Sequence, residues 1–126
     1  MEFEGLAEGW EVWSVETTKA VLGFRPDVFD SHEFPPECLP TIYVTKGKRD
    51  RRPGRDIPDP DDPWYVTLYL EPDVNLDPRK YESQEQAVSG AKSVATEFTR
   101  GEIAYHDLYQ VPRPDYFDKL DELTGN

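Results

Sequence analysis

The chain has 126 residues, a length typical of one domain with a single core, and its 26 acidic and 14 basic side chains give a net charge of −12. Sixteen aromatic residues (13%) exclude the composition of a disordered acidic tail, and a single cysteine excludes an internal disulfide or a zinc site of several thiolates. Because no apolar stretch reaches the roughly 20 residues of a membrane helix and no signal sequence is evident, we expect a soluble, cytoplasmic protein.

The N-terminal part of the chain is predicted to form a hairpin. Residues 10–15 are rich in aromatic and β-branched side chains and are predicted as a strand, followed by a turn at 17–19 and a return strand at 20–24. Pro26 ends the hairpin, because proline cannot continue a central hydrogen-bond ladder. Three further prolines make residues 31–40 irregular.

Two more strands are predicted at 41–45 and 64–70. Residues alternate along both segments, as in an antiparallel sheet with one face on a core. One face carries the apolar residues Ile42, Val44, Trp64, Val66, Leu68 and Leu70. The opposite face carries Tyr43, Tyr65 and Tyr69, which are possible stacking groups, or a minor core if another segment covers them.

The connection between these strands, residues 46–63, is predicted as a long charged hairpin loop. Its first ten residues hold six of the 14 basic side chains and one acid, a local charge of +5 that leaves −17 for the rest of the chain. An acidic, proline-rich run follows at 56–63. The basic part is a candidate anion-binding site for phosphate or nucleic acid, or it contacts the chain's own acids. Its candidate residues are Lys46, Lys48, Arg49, Arg51, Arg52 and Arg55.

Two helices complete the prediction. Ser83 and Gln86 have the spacing of a capping box, and Gly101 is placed to end the helix that they begin. This helix has an apolar stripe of Ala87, Val88, Ala91, Val94, Ala95 and Phe98. A shorter helix begins near Pro114, with a stripe of Tyr116, Phe117, Leu120 and Leu123, and ends at Gly125.

Catalytic and metal signals are weak. Cys38 lies six residues after His32, but Cys–His pairs are assembled by tertiary structure, and a lone cysteine is more often a small buried apolar residue. His106 beside Asp107 has no second histidine at helical spacing. The carboxylates of Asp56, Asp59, Asp61 and Asp62 have the chemistry to hold Ca²⁺ or Mg²⁺, but lack the glycine and distal glutamate of a calcium loop. We therefore predict neither a catalytic residue, nor a metal site, nor a cofactor.

The acidic residues are dispersed from Glu2 to Glu122, and lysine is scarce, at six residues. Hydrated carboxylates keep such a surface wet, and dense ions screen their repulsion, because the Debye length is about 3 Å at 1 M salt. This composition is typical of a high-salt cytoplasm. The alternative, an acidic mimic of nucleic acid, needs carboxylates ordered on one face, and no pattern indicates that.

Five segments carry a resemblance that covers nearly the whole chain: Gly9–Trp13, Phe24–Asp30, Phe34–Gly47, Trp64–Pro72 and Tyr109–Gly125. On these segments the chain resembles a small, uncharacterised family of haloarchaeal proteins, a domain of unknown function. The resemblance rests on ordinary segments rather than on an active-site signature. It implies a halophilic archaeal cytoplasm and no particular activity, cofactor or catalytic residue.

We expect a single α+β domain over 1–126, with a four-stranded, mainly antiparallel sheet, one central helix on its apolar face and a short C-terminal helix. The favoured function is a non-catalytic binding or adaptor module whose basic loop contacts nucleic acid or phosphate. One alternative is a small enzyme that uses Cys38 and His32, or a cation held by Asp59, Asp61 and Asp62. Another is a structural subunit whose loop docks on an acidic protein.

Overall fold

The computed structural model describes residues 2–25, 39–47, 62–71, 74–103 and 114–124. Within these residues the chain forms six strands followed by two helices. They are β1 (Trp10–Val15), β2 (Lys19–Phe24), β3 (Thr41–Lys46), β4 (Trp64–Glu71), β5 (Val74–Asn75), β6 (Arg79–Tyr81), α1 (Gln84–Thr99) and α2 (Pro114–Thr124).

The strands form one antiparallel sheet in the order β1-β2-β3-β4-β5, and β6 also pairs with β4. The prediction of four strands is therefore wrong, because the described residues contain six, although the α+β class fits. The prediction missed β5 and β6, which have only two and three residues; β5 lies between Pro72 and Pro78 in the sequence, and β6 directly follows Pro78. Strands this short carry no alternation for a sequence pattern to show.

The predicted start and end of α1 are confirmed. The Ser83 hydroxyl accepts a hydrogen bond from the Gln86 amide at 3.2 Å, and the Gln86 side chain accepts from the Glu82 amide, also at 3.2 Å. At the other end Gly101 has a φ of 72°, and its amide donates to the Phe98 carbonyl, while the Glu102 amide donates to the Glu97 carbonyl. These two bonds are those of a Schellman motif, which satisfies the last carbonyls of a helix.

The core lies between α1 and one face of the sheet, here called the helix face. All six residues of the predicted apolar stripe of α1 are buried, as are Ile42, Val44, Val66 and Leu68 on the facing strands. Three aromatic rings close one end of this core: those of Trp10, Phe24 and Phe98, with centroid separations of 5.2 to 5.8 Å. Aromatic packing of this kind buries large areas and dominates core stability.

β6 is held against α1 by two contacts. The Tyr81 ring occupies the space that a Cβ atom on Gly90 would need, so the helix approaches the strand closely only because residue 90 is glycine. Arg79 forms a forked ion pair with Glu97, at 2.9 and 3.4 Å. The hydrogen bond that Arg79 donates to the Glu97 carboxylate raises the pKa of Arg79 above its ordinary value.

α2 adds Leu120 to the core, where it is fully buried, and Leu123 is half-buried beside it. The other predicted residues of its stripe, Tyr116 and Phe117, and its predicted stop at Gly125 lie outside the described side chains. Neither helix in the described part of the chain combines the length and the apolar character that a membrane crossing requires.

Candidate functional site

The face of the sheet opposite α1 carries the three predicted tyrosines and is called the tyrosine face below. Tyr43 on β3 pairs with Thr67 on β4, while Tyr65 and Tyr69 on β4 pair with Thr45 and Thr41 on β3. Paired residues of neighbouring strands project to the same side, so the three rings share one face. All three tyrosines are half-buried, so each residue keeps part of its surface in contact with solvent.

The tyrosines are set among threonines that pack tightly. Thr45 and Thr67 are only 8% and 5% exposed, and the Thr45 hydroxyl donates to the Gly47 carbonyl at 3.0 Å. Threonine suits this surface because β-branched side chains fit a pleated strand. The tyrosines therefore have closely packed threonines as cross-strand neighbours on this face.

Two of the three tyrosine rings pack against each other. The Tyr43 and Tyr69 rings meet edge to face, with centroids 5.3 Å apart and planes at 82°. The Lys19 ammonium lies 5.6 Å from the centroid of Tyr43, within the range of a cation–π contact. Tyr65 has no such ring contact within the described residues, so its ring is the one best placed to accept a stacked ligand.

A row of paired residues crosses the tyrosine face beside Tyr65. It runs from Lys19 on β2 through Thr45 on β3 and Tyr65 on β4 to Lys80 on β6. With adjacent strands about 4.8 Å apart, the two lysine backbones are separated by three spacings, roughly 14 Å. The row therefore places a positive charge on either side of an aromatic ring, in a chain whose net charge is −12.

The same row marks the end of the sheet from which the basic loop leaves. Lys46 pairs with Trp64 one position beyond Thr45 and Tyr65, and the Gly47 amide donates to the Pro63 carbonyl at 2.7 Å. Both ends of the loop are thereby fixed next to the row.

Of the predicted anion-binding residues, Lys46 is described and is half-buried. By the alternation of β3 it belongs to the helix face with Ile42 and Val44, so it lies on the opposite side of the sheet from the tyrosines. The other five, Lys48, Arg49, Arg51, Arg52 and Arg55, lie outside the described residues. Anion binding by this set remains a prediction.

Sequence reasoning did not select Lys19, Lys80 or Trp13, which also belong to the tyrosine face. The ring of Trp13 lies against Gly23, where an added Cβ would come within 2.8 Å of it, and Gly23 pairs with Thr41 on this face. A bulge between Val12 and Ser14 accompanies this placement. The two lysines have no local signal, because only the pairing of four strands brings them into one row.

A concave region of about 700 Å³ lies where the start of β1 meets the end of α1. The Trp10 indole N–H donates to the Thr99 hydroxyl at 3.2 Å on its wall, and Arg25 has a positive φ of 47°. Its described rim carries charges of both signs, from Glu8, Glu11 and Arg25, so it favours no one class of ligand. The tyrosine face is the stronger candidate.

The residues considered in the sequence for a catalytic or metal site lie largely outside the described residues. These positions are His32, Cys38, Asp56, Asp59, Asp61, His106 and Asp107. Asp62 is described and half-buried. In the ranges that the structure describes, no three histidine, cysteine, aspartate or glutamate residues form a group able to hold a metal ion.

No curated protein and no solved structure shows significant similarity to the chain. Residues 9–125 match a family of unknown function, DUF5820. This match spans the hairpin, the tyrosine face, α1 and α2, and so includes every strand and helix described above. The chain therefore belongs to the DUF5820 family of unknown function.

Proposed function

We propose that this protein is a non-catalytic binding module that takes single-stranded nucleic acid on its tyrosine face, in the high-salt cytoplasm that its composition favours. The observation that carries the proposal is the row from Lys19 to Lys80, with Tyr65 inside it. Proteins that bind single strands combine aromatic rings, on which bases stack, with basic groups that contact the phosphates. The row supplies both.

The ends of the basic loop are consistent with the same ligand. They lie one residue pair beyond Tyr65 and Thr45, so the chain enters and leaves the loop, whose residues 46–55 have a net charge of +5, next to the stacking ring. We propose that the loop contributes phosphate contacts to a strand that lies on the row.

Salt concentration decides which of these contacts matters more. If six phosphates of a single strand were neutralised, affinity would fall by roughly five decades between about 0.15 M and 2 M salt. Stacking on tyrosine does not depend on ion release and persists in concentrated salt. In a halophilic cytoplasm Tyr65 should therefore contribute more to binding than the loop.

Binding of a fluorescein-labelled single-stranded oligonucleotide, followed by anisotropy at high and low salt, tests this proposal. Tyr65→Leu removes the π-face and should weaken binding about tenfold or more, since base stacking is worth roughly 1–3 kcal/mol. Tyr65→Phe keeps the ring and should bind like the unchanged protein. Lys19→Gln and Lys80→Gln should each reduce the slope of log affinity against log salt by about 0.7.

Lys119→Gln, on α2, is the matched control for the lysine variants and should leave the slope unchanged. Absence of binding by the unchanged protein, or equal affinities for Tyr65→Leu and Tyr65→Phe, would contradict the proposal.

A further inference from the structure

The edge strand β1 exposes apolar side chains. Within the described residues β1 pairs with β2 alone, which leaves its other side as an edge of the sheet. Val12, Trp13 and Val15 are 44%, 51% and 46% exposed, and they are the large apolar residues that the described part of the chain leaves exposed. An edge of this kind presents unpaired backbone groups together with apolar contacts.

Within the residues that the structure describes, the opposite edge of the sheet is better protected than β1. Natural sheets guard their edges with very short strands, lysine, proline or bulges. On the far side β5 and β6 have only two and three residues, and β6 carries Arg79 and Lys80. β1 has six residues and contains neither lysine nor proline, and its guarding features are the bulge between Val12 and Ser14 and the exposed charge of Glu11.

The charge around β1 indicates what kind of partner fits. The first 18 residues contain five glutamates and no lysine or arginine. Glu8, Glu11 and Glu16 are all exposed, and two of them flank the apolar residues of the strand directly. A second copy of the chain would bring the same carboxylates against these, and like charges opposite each other are destabilising. A basic partner would be attracted instead.

We propose that the β1 edge is a docking site for an extended segment of a partner protein in which basic and apolar residues alternate. Such a segment adds a strand to the sheet, and its main-chain hydrogen bonds supply affinity while its side chains supply specificity. Its apolar residues pack on Val12 and Val15, and its basic residues lie near Glu11 and Glu16. Glu16 adjoins the lysine row, because its amide donates to the Lys19 carbonyl at 2.7 Å, whereas Tyr65 on β4 is three strands away from β1.

The probe is a synthetic peptide of alternating lysine and valine, compared with its glutamate–valine counterpart and with a lysine–valine peptide interrupted by prolines. Trp13 reports binding by fluorescence, because Trp10 and Trp64 are only 6% and 7% exposed. We expect the lysine–valine peptide to shift the tryptophan emission to the blue and to protect backbone amides of β1 from hydrogen exchange. The proline peptide, which cannot complete a ladder, should do neither.

The charge preference is tested by the double variant Glu11→Lys/Glu16→Lys. We expect it to bind the lysine–valine peptide about tenfold or more weakly and to prefer the glutamate–valine peptide. The matched control, Glu85→Lys/Glu102→Lys, changes two exposed glutamates elsewhere and should keep the original preference. Three results would overturn the proposal. They are a failure of the lysine–valine peptide to protect the β1 amides from hydrogen exchange, equal binding of the proline peptide, and self-association of the protein through β1 instead of peptide binding.

Discussion

The two faces of β3 and β4 differ although they are made by the same residues in alternation. On the helix face Ile42, Val44, Val66 and Leu68 are at most 2% exposed and pack under α1. On the tyrosine face Tyr43, Tyr65 and Tyr69 keep part of their surface in solvent. The difference indicates that the helix face accounts for stability, and we propose that the tyrosine face offers its rings and lysines to a ligand.

The largest expected effect comes from removing an aromatic ring on the helix face. Phe98→Ala should lower the free energy of unfolding by about 3–5 kcal/mol, because Phe98 is fully buried between Trp10 and Phe24. Tyr43→Ala, on the tyrosine face, should lower the free energy of unfolding by clearly less. Denaturant unfolding in concentrated salt measures both, and equal losses would show that the tyrosine face is a second core.

A smaller effect is expected from filling the space at Gly90. In Gly90→Ala the new methyl displaces the Tyr81 ring, and this overpacking should cost about 1–3 kcal/mol, partly offset by the better helix propensity of alanine, roughly 1 kcal/mol. Ser89→Ala, at the exposed neighbouring position, is the control and should be neutral or slightly stabilising. If Gly90→Ala were more stable than the unchanged protein, the Tyr81 ring would not be packed closely against residue 90 of α1.

The smallest effect concerns a polar contact at the end of the helix face. Thr99→Val removes the acceptor of the Trp10 indole N–H, and an unsatisfied buried donor costs about 1 kcal/mol or somewhat more. Thr96→Val is the matched control, since its hydroxyl donates only to the Lys92 carbonyl one turn back. Oligonucleotide affinity should be unchanged in both variants, and a loss of affinity in Thr99→Val would place the ligand in the cleft beside Trp10.

Local sequence patterns were sufficient for the long elements. The alternation in 64–70 and the capping residues Ser83 and Gly101 depend on neighbours a few positions away, and the structure confirms them. β5 and β6 were missed because strands of two and three residues are formed by pairing with β4 rather than by their own pattern.

The candidate site was only partly predictable for a related reason. The tyrosines could be assigned to one face from the period of two within each strand. Lys19 and Lys80 could not, because their place beside Tyr65 depends on the register of three separate strand pairs. Lys46 shows the converse, since it follows Thr45 directly in the chain and yet belongs to the other face.

The central claim, that the tyrosine face receives the ligand, is tested most directly by photo-crosslinking. An oligonucleotide that contains 5-bromouridine is irradiated with the protein in concentrated salt, and the attached peptides are identified by mass spectrometry. We predict crosslinks in the peptides that contain Tyr65 or Tyr43, lost when Tyr65 is changed to leucine. Crosslinks confined to α1 or to the cleft beside Trp10 would contradict it.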